Sequence, residues 1–258
     1  MKKAWITALS HDEDSSEKLA SVVTQYGLAV EGHFWIHDLK NMAWASARDA
    51  LLARETVLWL ILGPAESLGS ESVRYGLSML ALAVQARRGH HFPVLFITTS
   101  GEVAAATLPT PLRGLQDFPL ASPALGPKII AQANLPAAPV KAEYLLDVHA
   151  VPGIGQWFEA GPAPGHSWAG ALFGVDAGEI DSHAVGPQGH LPERATLEYP
   201  LKGLKLKLGE REYTAWAVKN AVDDRSAYFL RVKGFPAAVV FGAFPEGDDA
   251  EMFSVTLK

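Results

Sequence analysis

The chain has 258 residues, of which 48% are hydrophobic and 19% charged, with a formal net charge of -6. That composition fits a globular protein of one large or two ordinary domains, and its acidity argues against nucleic acid as the main partner, because phosphate neutralisation needs clustered Lys and Arg. There is no cysteine, which excludes disulfide frameworks, thiolate metal sites and Cys nucleophiles.

No apolar run reaches the roughly 18 residues of a membrane span. The N-terminus enters a short apolar run and meets Ser10-His11-Asp12-Glu13-Asp14, too soon acidic for a secretion signal. The sequence therefore reads as soluble and cytoplasmic, with no membrane partner.

The first hundred residues alternate in period. Ala4 to Leu9 reads as a buried strand, and Ser15 or Ser16 as the cap of a helix that buries Leu19, Val22, Val23 and Tyr26 and stops at Gly27. Leu28 to Ile36 is a second strand and Trp44 to Arg54 a helix. Thr56 to Leu62 is a third strand, closed by Gly63-Pro64, and Ser72 to Arg88 a long helix. Phe92 to Thr98 is a fourth strand. These strand runs are apolar throughout, as expected of a parallel sheet covered on both faces.

Seven prolines then fall between Pro109 and Pro139. Leu115 to Leu120 reads as a fifth, edge strand and Lys128 to Asn134 as a last helix. A Pro/Ala linker over residues 136–142 divides an α/β domain (1–135) from a β-rich domain (143–258). In the latter, strands are expected at Tyr144–His149, Leu204–Leu208, Tyr213–Val218, Tyr228–Val232, Ala237–Phe244 and Met252–Leu257. Their number and Gly/Pro punctuation suggest a sandwich or barrel.

Four segments taken in order carry a resemblance. They are Ile6 to Asp14, Glu17 to Val30, Ser67 to Leu77, and Pro93 to Phe96 followed by Leu108-Pro109 and Leu112-Arg113-Gly114-Leu115-Gln116. Over about residues 1–140 the chain resembles a TIR domain, the flavodoxin-like module of Toll/interleukin-1 receptor and bacterial immunity proteins. The resemblance implies a five-stranded parallel sheet with helices on both faces. It also implies two activities: association with itself or with other TIR domains, and, in some members, cleavage of NAD. Cleavage needs a glutamate on the helix after the third strand, to support an oxocarbenium-like transition state. At that place stands Gly76, within Ser72-Val73-Arg74-Tyr75-Gly76.

The sequence therefore reads first as a non-catalytic TIR-like module with a protein partner, self-association included, and no cofactor. Binding is expected at Ser10, Trp35, Trp44 and Arg74. The alternative is an NAD-cleaving glycohydrolase, or a nucleosidase-like enzyme, with a displaced carboxylate. Glu71 is its first choice and Glu66 also lies near, although Glu71 is more than one turn from Gly76.

No metal centre is expected. His33, His37 and Asp38 read as loop residues, and His166, His183 and His190, with Asp176, Glu179 and Asp181, lack a metal-binding spacing. Gly165-His166-Ser167-Trp168 lacks the Gly-x-Ser-x-Gly of a nucleophile elbow.

Overall fold

A computed structural model of the protein describes residues 1–135, 138, 140–245 and 251–258; the linker expected at 136–142 is thus only partly among them. The chain separates into two compact units, Met1–Leu108 with Leu112–Val140, and Pro109–Pro111 with Lys141–Lys258.

The first unit contains β1 (Lys3–Ala8), α1 (Glu13–Gln25), β2 (Ala29–Phe34), a 3-10 turn (Ala43–Ala47) running into α2 (Arg48–Leu52), β3 (Thr56–Gly63), α3 (Glu71–Arg88), β4 (Val94–Thr98), β5 (Gln116–Pro119) and α4 (Leu125–Asn134). All strand pairs are parallel, in the order β2-β1-β3-β4-β5. That is the doubly wound order of flavodoxin-like sheets.

Alternation along each strand divides the core. Ile6, Leu58, Leu60, Leu62, Leu95 and Ile97 meet Leu19 and Val23 of α1 and Ile129 of α4. Trp59, Ile61 and Phe96 alternate with them and are also fully buried. Within the sheet, Trp59 Nε1 donates to Thr7 Oγ1 at 2.9 Å, satisfying a donor that burial would otherwise penalise.

Three local expectations change. Asp12, not Ser15 or Ser16, caps α1: its Oδ1 accepts from Ser15 N at 3.0 Å, and Ser16 Oγ donates back to the Asp12 carbonyl at 2.8 Å. The Ser15 hydrogen bond holds the Asp12 carboxyl below its ordinary range. Tyr26 is exposed beyond the end of the helix, with only Leu19 and Val23 fully buried on that face. The helix expected over residues 44–54 is instead a 3-10 turn followed by the single-turn α2. So short a helix is not stable alone, and Arg88 closes it. Its Nη1 donates to the carbonyls of Leu51 and Ala53 at 3.2 and 2.8 Å, and its Nη2 to Thr56 at 2.8 Å. Arg88 ends α3, yet it caps α2.

The second unit is all β: β6 (Tyr144–Val151), β7 (Gly155–Pro162), β8 (Ala171–Asp176), β9 (Glu179–Pro187), β10 (Leu201–Leu208), β11 (Arg211–Val218), β12 (Ser226–Lys233), β13 (Ala238–Ala243) and β14 (Met252–Thr256). They form two antiparallel sheets, β10-β11-β8-β13-β14 and β6-β7-β12-β9. Phe158 of β7 packs on Phe173 of β8 at 5.4 Å, and Tyr144 of β6 meets Phe241 of β13 edge-on at 5.0 Å, so the sheets face each other as a sandwich. β10 is an outer strand, with Leu204 and Leu206 packed inward and Lys205 and Lys207 exposed.

β7, β8 and β9 lie where the sequence suggests only turns and Gly/Pro-rich loops. Their glycines have packing reasons: a Cβ on Gly174 would stand 3.0 Å from both Ala215 Cβ and Val240 Cγ1 in the neighbouring strands. Among the described residues no helix is long and apolar enough to cross a membrane.

Candidate functional site

In doubly wound sheets, ligands bind outside the carboxyl ends of the strands. Here that rim is built by the loop after β2, the turn after β3 and the start of α3. The loop after β2 continues along β1, with Trp35 N donating to the Ala8 carbonyl at 2.7 Å. It is fixed to α3 by a 2.6 Å hydrogen bond between His37 Nδ1 and Ser72 Oγ. Asp38 closes a turn on Asn41, whose hydrogen bonds hold its carboxyl below the usual range.

These constraints drive Trp35 onto the α3 backbone. A Cβ on Gly76 would stand 2.6 Å from Trp35 Cζ2 and 3.1 Å from Trp44 Cβ. Trp35 is 4% exposed and Trp44 1%. Both indole N–H groups are buried without a hydrogen-bond partner, a cost accepted for large apolar burial. The volume that a side chain at Gly76 would take is filled by indole carbon. Neither ring is open for stacking on a ligand.

The other expected residues are dispersed. Ser10 is exposed just beyond β1, and Glu71 is exposed in the first turn of α3. Arg74 borders an open groove of about 370 Å³ together with Glu66, Leu68, Gly101, Glu102 and Leu108. It donates from Nη1 to the Leu68 carbonyl at 3.3 Å and from Nη2 to the Thr107 carbonyl, bracing the turn after β3 against the segment after β4. Of the two candidate carboxylates, Glu66 borders this groove and Glu71 is not among its lining residues.

The histidine sets do not assemble. His33 accepts from Trp5 Nε1 at 3.2 Å, and burial lowers its pKa. Asp181 pairs with Arg231 and Lys233, and Asp176 with Arg211. His166 and Ser167 border a groove of about 630 Å³ with Glu143, Trp168 and Glu251. Ser167 lies on a loop, outside any strand-to-helix turn. His183 is buried in the sandwich, hydrogen-bonded through Nδ1 to Tyr228 Oη at 2.8 Å, with Nε2 unsatisfied. Burial, with a smaller effect of the nearby Lys202 charge, depresses its pKa to about 4.

The structure instead gathers Asp147, His149 and Glu159, a set not anticipated from sequence. Asp147 and His149 share one face of β6, and Asp147 lies opposite Glu159 in the β6–β7 ladder. His149 Nε2 is 2.6 Å from Glu159 Oε2 and 3.9 Å from Asp147 Oδ2. This face points away from the other sheet and is covered by Leu145, Trp157, Phe229 and Leu191. The signal was legible: the Pro152-Gly153-Ile154 turn sets a hairpin register that pairs Asp147 with Glu159, provided β7 is recognised as a strand.

The chain matches no protein-family model, and no curated protein resembles it at a significant level.

Proposed function

We propose that residues 1–135 form a non-catalytic TIR-like module for protein binding or assembly, and that the sandwich serves as its partner- or ligand-binding domain. The observation that carries this reading is Trp35 seated against Gly76. A glycine alone could reflect a carboxylate displaced to a neighbouring position. A glycine whose side-chain volume is taken by a buried tryptophan reflects a position given over to packing. The parallel sheet in 2-1-3-4-5 order supports the resemblance at the level of fold only, since that architecture hosts many functions.

A second reading has its own observation. The groove beside β3 and β4 lies at the carboxyl ends of the strands, and Glu66 and Arg74 border it. In that case the chain cleaves the nicotinamide–ribose bond of NAD with Glu66 as the supporting carboxylate.

One assay separates the two. Purified protein is incubated with NAD, and free nicotinamide is followed by chromatography. The assembly reading expects none above the buffer blank. Release that disappears in Glu66→Gln or Glu71→Gln overturns it. Light scattering over a concentration series then tests self-association of residues 1–135 within the full chain.

A further inference from the structure

Asp147 and Glu159 place two carboxylates side by side in the interior of a β hairpin. Asp147 is 0% and Glu159 1% exposed. Two ionised carboxylates sharing a dry site repel each other, and each also bears a desolvation cost. His149 Nε2 stands between them, 2.6 Å from Glu159 Oε2 and 3.9 Å from Asp147 Oδ2. A divalent cation would neutralise both acids.

The groups are also oriented as metal ligands are. Val148 N donates to Asp147 Oδ1 at 2.7 Å, and Gly189 N donates to Glu159 Oε1 at 2.7 Å. Each carboxylate is thus held by one oxygen and turns the other toward His149 Nε2. Backbone donors that fix a carboxylate's second oxygen are the outer-shell arrangement that positions ligands. One donor atom from each of the three residues lies within 4.8 Å of the others. Bonds of about 2.0–2.2 Å to nitrogen and oxygen bring such a set around one ion with small side-chain rotations. The rings of His149 and Phe229 lie 6.1 Å apart, part of an apolar surround that strengthens any charge interaction inside it.

We propose that Asp147, His149 and Glu159 bind a divalent first-row transition cation, zinc first. One imidazole with two carboxylates suits zinc or manganese; calcium and magnesium prefer all-oxygen sets. His149 retains 13% exposure and provides the side from which an ion enters. This site lies in the second unit and does not depend on the proposed role of the first.

The test uses the full chain, stripped with a chelator and then dialysed against Zn2+ alone, with bound metal measured by elemental analysis. Wild type retains zinc stoichiometrically and melts at higher temperature with the metal, because an ion that binds the folded state stabilises it. Glu159→Gln and His149→Gln, which preserve size and polarity, lose at least about tenfold in affinity. Equal retention by wild type and variants, or none by wild type, overturns the proposal. Should the variants misfold, wild type loaded with Co2+ still decides. A visible spectrum altered from that of the aqueous ion supports the site, and an unaltered one overturns it.

Discussion

Trp35 Cζ2 lies 2.6 Å from where a Cβ on Gly76 would be, so the two residues occupy one volume between them. Alanine normally gains up to about 1 kcal/mol over glycine in a helix interior. Here Gly76→Ala should lose stability, by about 1–3 kcal/mol, because a rigid buried indole must move. Urea unfolding measures it. Trp35→Leu in the same background should recover part of the loss, a coupling that a double-mutant cycle reads directly. Additive effects would mean that the two side chains do not compete.

Removing Arg88 should release α2. Arg88→Met keeps most of the aliphatic stem but removes the guanidinium bonds to the carbonyls of Leu51, Ala53 and Thr56, of which Ala53 still accepts from Thr56 N at 3.0 Å. A loss of about 2 kcal/mol or more is expected, with Arg88→Lys a poor substitute because one ammonium cannot reproduce the guanidinium fork. Faster amide exchange in residues 48–53, with α3 unchanged, would place the effect in α2.

Thr7→Val tests the Trp59–Thr7 hydrogen bond, which is 2.9 Å long and buried. The shape is conserved, so the expected cost of about 1–3 kcal/mol comes from an indole N–H left dry and unsatisfied. Thermal unfolding of the two proteins gives the difference. No change would show that another acceptor takes over.

His183 predicts a pH dependence. Its pKa in the folded protein is pushed down to about 4, against the ordinary histidine value of 6.5. Between those values the unfolded chain takes up a proton that the folded chain refuses. Stability is therefore complete above about pH 6.5 and falls as the pH drops toward 4. The loss amounts to about 3 kcal/mol for this residue. His183→Gln should flatten that part of the profile in urea titrations at successive pH values. The same slope in both proteins would assign it to other groups.

The parallel sheet was legible because its strands are buried on both faces and so read as unbroken apolar runs, as Leu58 to Leu62 does. The sandwich was half legible. β10 announces itself through Leu204, Leu206 and their alternating lysines. β7, β8 and β9 carry Glu159, Gly174, Asp181 and His183, polar or glycine positions that break the alternation and are explained only by neighbours far along the chain. The same holds for the sites. A tryptophan after a strand reads equally as ligand platform and as core, and what decides for Trp35 is a glycine on a helix three elements later. Asp147 and His149 stand two apart in one strand, but Glu159 joins them only once the hairpin register is known.

The lysines of β10 have a bearing on assembly. An outer strand offers its backbone N–H and C=O groups to any passing strand, and a second copy of the same strand is the most available one. Antiparallel docking of two such edges would bring the Lys205 and Lys207 rows of the two copies close together, in like-charge opposition. The β10 edge thus discourages pairing with its own copy, which leaves association of this chain to its other surfaces.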